Sequence, residues 1–146
     1  MSGATALEAF HCTKGDLDYS RERGRADLYI ATCEWSAEIE AKQEFINGSS
    51  DQNRISVVAS RVLENARKDI ISANRNHMTR YACAFLPIWY PKVERPSEGT
   101  LSRLRNTLTN VQEIDILAWC FPVCARGFLE DNLYYPGITV ALRKIK

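Results

Sequence analysis

The sequence lacks most of what marks a common enzyme. It has 2 histidines, so an imidazole base for a nucleophile can come only from His11 or His77. Neither stands in the context of a known cysteine hydrolase, and no serine sits in a nucleophile elbow. The 7 glycines are scattered. No glycine-rich loop is left to cradle a phosphate, which excludes the common nucleotide and dinucleotide sites. Charge of either sign is not in surplus: 19 Lys and Arg stand against 18 Asp and Glu, for a net charge of +1. Attraction to nucleic acid or to a membrane must then come from a local patch. No apolar run approaches the ~20 residues that span a bilayer, so no membrane partner is expected. The opening MSGATALEAFHC has no basic stretch followed by a long apolar one, which argues against a signal peptide.

Five cysteines stand at positions 12, 33, 83, 120 and 124. An odd number cannot pair completely, so the sequence reads as a reduced, cytoplasmic protein with free thiols. Cys120 and Cys124, in CFPVC, have a spacing that zinc sites use, but a second pair is missing apart from His11 and Cys12. The expectation is no metal and no cofactor, with Cys83 and Cys120 buried as small hydrophobes.

What is present is ordinary for a globular chain. The 146 residues are 45% hydrophobic and 25% charged, enough for a single domain over 1–146 with one core. The strongest periodic signal predicts a helix over 54–75. Ile55, Val58, Ala59, Val62, Leu63, Ala66, Ile70 and Ala73 fall on one side of it. Leu101, Leu104 and Leu108 predict a shorter helix over 100–110, capped by Thr100. Strands are predicted at 6–14, 26–35, 79–90, 111–121 and 138–145. Pro87 should confine the third of these to an edge or a bulge. The apolar end of 111–121 suits a strand entering a core. Residues 36–46 fit either a helix or a strand.

The fold class implied is α+β, a mainly antiparallel sheet with one long and one short helix on one face. If 36–46 is a strand, the order strand-strand-strand-helix resembles the second half of a double-stranded RNA-binding domain over about a third of the chain. The lysines which that family carries at the start of the helix are replaced here by NRISVVASR.

Two basic clusters are the candidate binding residues. Arg54, Arg61, Lys68 and Arg75 recur every seven residues and form a slowly drifting stripe on the solvent side of the predicted helix. Such a stripe can follow successive phosphates. Its bland alternative is a solvated face, with Glu64 placed to pair with Lys68. Arg21, Arg23 and Arg25 surround Gly24, with Glu22 and Asp27 at hand to neutralise them. Arginine's fork suits phosphate. Carboxylate pairs at Asp16/Asp18, Glu38/Glu40 and Glu113/Asp115 share a face if they lie on strands, where they could hold a metal or serve acid–base work. Phe85, Trp89, Tyr90, Tyr134 and Tyr135 cannot all face one core, and some should reach the surface.

The reading favoured is a non-enzymatic binding protein for nucleic acid, RNA first, acting through the two basic clusters. The alternatives are a protein-interaction module such as an inhibitor, immunity or accessory protein, with self-association as a homodimer, and a small Cys/His enzyme.

Overall fold

The computed structural model describes residues 5–8, 27–31, 34–72 and 79–146. Helix α1 runs Gln52–Ser72 and buries Ile55, Ala59, Val62, Leu63, Ala66 and Ile70. That is the stripe the 3.6-residue period predicts, with Val58 half-buried against it. Asp51 starts the helix: its side chain accepts from the Arg54 N–H at 2.9 Å, and its carbonyl takes the Ile55 N–H. Helix α2, Glu98–Thr109, buries Leu101, Leu104, Thr107 and Leu108. Its cap is Ser97 rather than Thr100. The two residues form a capping box, each side chain accepting from the other's backbone N–H.

The strands are β1 Thr5–Glu8, β2 Leu28–Ala31, β3 Ser36–Gln43, β4 Ile46–Asn47, β5 Thr79–Pro91, β6 Ile116–Cys120, β7 Leu129–Glu130 and β8 Leu133–Ile145. A short 3-10 turn occupies Val123–Gly127. The described strands make one sheet in the order β1-β2-β3-β5-β8-β6, with β4 beside β5 and β7 beside β8. The α+β class holds. The expectation of a mainly antiparallel sheet does not, because the sheet is mixed: β3 and β4 pair with β5 in parallel, while β8 pairs with it antiparallel. The cause is α1. A helix of this length, about 31 Å, carries the chain back along the sheet, so β5 starts at the same end as β3. Parallel neighbours need such a crossover. The meander β1-β2-β3 followed by a helix is present, but it is the flank of a larger sheet and not a unit of its own.

Pro87 is not on an edge, but the expected alternative, a bulge, lies beside it. It lies inside the central strand β5. Its parallel neighbour is interrupted there: β3 pairs as far as Phe85, and β4 resumes at Ile88. The missing N–H therefore falls near a gap in the ladder. On the other side, β8 takes three steps from Tyr134 to Gly137 while β5 takes two from Tyr90 to Ile88, a bulge. Gly137 has φ 151°, and a Cβ on it would lie 2.0 Å from the Cys120 carbonyl oxygen. Only glycine fits where β6 passes.

Alternate residues of β5, namely Ala82, Ala84, Leu86, Ile88 and Tyr90, join the helices' apolar faces, Ala141 and Ile145 in one core. Small residues at Ala82, Ala84 and Ala141 leave room for α1. The other face of the sheet carries Cys83, Phe85, Val140, Leu142 and Ile116 by register. No described helix covers it, and Phe85 and Ile116 are 40% and 50% exposed. Strand β6 is likewise open, which corrects the expectation that it enters a core. It is the last strand of the sheet, and Cys120 is exposed. Among the described residues, no helix is long and apolar enough to cross a membrane.

Val62 is 2% exposed, and its neighbour Arg61 points outward. Val62→Asp would bury a carboxylate without a partner, costing several kcal/mol of the ~5–15 kcal/mol that holds a domain together. It should be insoluble or unfolded by circular dichroism. Arg61→Asp should lose at most about 1 kcal/mol. Equal tolerance of the two changes would mean that the helix phase is wrong.

Candidate functional site

Strand β3 alternates its side chains. Glu38, Glu40 and Lys42 lie opposite Arg80, Ala82 and Ala84 of β5 and therefore face α1. Lys42 confirms the direction. Its ammonium is 3.0 Å from Glu40 Oε1 and 2.6 Å from Asp69 Oδ2 on α1. Asp27 stands immediately before β2, which runs antiparallel to β3, so it reaches the same end of the sheet. Its Oδ2 accepts the Ala41 N–H at 2.8 Å. Two carboxylates, one from a strand and one from a helix, thus meet at one ammonium, and Asp27 lies close enough to Glu40 for its charge to act on it.

The electrostatics follow from burial and sign. Glu40 is 9% exposed. Desolvation raises its pKa above the ordinary 4.5, the bond from Lys42 opposes this, and the charges of Asp27 and Asp69 raise it further. Lys42 is held above 10.5, first by its bond to Asp69, against some desolvation and with help from Glu40. It is an ammonium throughout the neutral range. Lys42 is shared between Glu40 and Asp69, and Glu40 also feels the charge of Asp27.

Among the described residues, no three Asp, Glu, His or Cys side chains converge tightly enough to enclose a metal ion by themselves. That matches calcium cages and structural zinc poorly. It is compatible with magnesium, which is commonly held by one or two carboxylates and completes its shell with water and substrate oxygens. Asp27 and Glu40 are the residues available for that.

The sequence-derived candidates are placed differently. Arg54, Arg61 and Lys68 are exposed on α1 as expected, but Arg61 is engaged by Glu44, so the stripe is diluted. The expected Glu64 to Lys68 pairing is replaced: Glu64 contacts Arg67 and Arg143. Arg75, Arg21, Arg23 and Arg25 lie outside the described residues, as do His11, His77, Asp16 and Asp18. Asp27 accepts the Ala41 N–H of β3, and its expected pairing with the arginine cluster falls on residues outside the described ones. Glu113 and Asp115 separate, Glu113 accepting from the Ser60 hydroxyl and Asp115 from the Lys144 N–H. Cys83 is buried, and desolvation, aided by Asp27, pushes its thiol up to about 11, so it is inert at neutral pH. Cys120 and Cys124 are exposed.

Sequence reasoning noticed Glu38/Glu40 and missed Lys42, Asp27 and Asp69. The usable signal was Glu40-Ala41-Lys42: on a strand, opposite charges two apart share one face. No protein-family model, curated protein or solved structure matches this chain.

A carboxyl whose folded pKa is raised adds stability below its unfolded pKa, and that stability is lost as pH rises through the folded value. The contribution of Glu40 therefore falls as pH rises above the ordinary carboxylate range. Glu40→Gln keeps the shape and leaves Lys42 its partner Asp69. The variant should melt higher at pH 7 by about 2–4 °C, with the gain shrinking toward pH 4. A lower melting temperature at pH 7 would count against a strained Glu40.

Proposed function

We propose that the protein acts on nucleic acid as a divalent-cation-dependent phosphodiesterase, with Asp27 and Glu40 holding the cation and Lys42 beside it. The observation that carries this reading is the buried Glu40 of β3, bonded to Lys42 and close to the charge of Asp27 at the start of β2. A desolvated carboxylate among other acids there would be relieved by a hard cation. Bound magnesium supplies Lewis acidity and a more acidic water. Lys42, charged at neutral pH, offsets the negative charge that builds on a phosphodiester under attack and orients the attacking water. Asp69 fixes the lysine's position. The water oxygen bonds to phosphorus, the bond to the leaving oxygen breaks, and that oxygen takes up a proton, giving a phosphomonoester and a hydroxyl.

The choice of a nucleic-acid substrate rests on cations on the outer side of the helix that supplies Asp69, where Lys68 and Arg54 are exposed. A reducing, intracellular setting accords with the free thiols of Cys83, Cys120 and Cys124. This reading keeps the target class expected from sequence and replaces binding alone with hydrolysis.

The test is incubation with end-labelled single-stranded RNA, single-stranded DNA and duplexes, in magnesium or manganese and in chelator. Cleavage should require the cation. Asp27→Ala, Glu40→Gln and Lys42→Ala should each slow it by about 100-fold or more, with binding in chelator retained. Binding without cleavage under every cation would return the protein to the class of pure binders. Absence of both would remove nucleic acid as its target.

A further inference from the structure

A second constellation lies at the far side of the sheet, three strands from β3. A cavity of about 230 Å³ is lined by Glu98, Leu101, Arg105, Trp119, Phe121 and Arg126. Trp119 projects from β6 and is 48% exposed. The Arg105 guanidinium sits 5.5 Å from the ring centroid, within cation–π range.

Both arginines grip one carboxylate. Arg105 Nη2 lies 2.8 Å from Glu98 Oε1, and Arg126 Nη2 lies 2.6 Å from Glu98 Oε2. Two guanidiniums on two oxygens of one anion is the geometry with which arginine binds phosphate. The arginine side chains are 27% and 26% exposed, the Glu98 side chain 59%. The cations are held and the anion is free to swing into water. Arg126 has a donor still to satisfy: its Nε is buried with no hydrogen-bond partner. A buried N–H without an acceptor is unfavourable, and Glu98, whose two oxygens are already engaged, does not satisfy it.

We propose that this cavity is a nucleotide subsite for single-stranded nucleic acid. A base stacks on Trp119, and the adjoining phosphate takes the guanidinium Nη groups of Arg105 and Arg126 that now hold Glu98. Glu98 occupies the phosphate position until the ligand displaces it. The volume equals that of about eight liquid waters at ~30 Å³ each, enough for a base or a phosphate with part of its sugar. Stacking on an aromatic ring is tolerant of base identity, so the subsite holds a strand without selecting its sequence. This inference rests on the nucleic-acid reading above and adds a place where the strand is held apart from the acids.

The test is fluorescence anisotropy of a fluorescein-labelled oligomer of ten thymidines, titrated in chelator so that nothing is cleaved. Trp119→Ala and Arg126→Ala should each weaken binding about ten-fold or more. Glu98→Gln should tighten it several-fold, because the competing anion is gone. Glu130→Gln makes the same change of charge away from the cavity and should do neither. Circular dichroism checks that each variant is folded. Cleavage should be unchanged in Glu130→Gln, which touches neither the cavity nor Asp27, Glu40 and Lys42. If the unmodified protein binds and cleaves while Trp119→Ala and Glu98→Gln bind as it does, the subsite is wrong and the hydrolytic reading stands. If Glu98→Gln weakens binding, Glu98 is a ligand contact rather than a placeholder, and the proposal fails in that form. If the unmodified protein neither binds nor cleaves any strand, the reading on which the subsite depends fails with it.

Discussion

The packing of α1 across β3 and β5 is the contact on which the rest of the molecule depends. Its six buried side chains are each worth roughly 1.5–3 kcal/mol when fully removed from water, less for alanine. That burial does more than stabilise. It fixes β5 parallel to β3, since the chain can return to the starting end of the sheet only over a crossover. It also sets the phase of the helix, and the phase brings Asp69 onto Lys42. A quarter-turn of α1 would expose apolar surface and separate that pair at the same time. The core and the candidate centre share one helix and one rotation.

Polar groups are treated in opposite ways at the two flanks of the sheet. Near β3, acids outnumber bases and one carboxylate is desolvated. Near β6, two arginines converge on a single acid and one buried donor is left over. Evolution tolerates few such imbalances inside a folded domain, because an unmatched buried group gives back much of what apolar burial gains. Here the excess is negative at one site and positive at the other. A hard cation would relieve the first and an anion such as a phosphate would satisfy the second, and the two proposals rest on that.

What could be read from the chain in advance divides along a physical line. Helix α1 was legible because twenty-one residues at a fixed period leave one consistent solution, and Ile55 through Ile70 obey it. The α+β class followed from the alternation of such segments. Strand β6 was misplaced because an apolar run reports only that side chains avoid water on average. It does not report whether a neighbour exists on the outer edge, and Cys120 and Trp119 proved to be at the margin. The parallel pairing of β3 with β5 joins residues forty-two apart, as at Ala37 and Thr79, and local pattern carries no term for that distance. Asp27 could not be tied to β3 from local pattern for the same reason. Its hydrogen-bond partner, Ala41, lies on the next strand. Lys42 was within reach, since the alternation that grouped Glu38 with Glu40 extends two residues further.

Strand β5 is also a seam. On one side it carries only strands that precede it in the chain, and on the other only strands that follow. The segment Lys92–Ser97 that leaves it joins no strand and no helix. A chain cut within that segment would yield two pieces with complementary surfaces. The earlier piece would keep α1, β3 and the cluster around Lys42. The later would bring α2, β6, β8 and the cavity beside Trp119. Neither has a closed core alone, because Ala141 and Ile145 of the second fill space beside Ala84 and Ala82 of the first. The protein is in this sense already arranged as two interlocking halves, and a reporter attached to either would record their reunion.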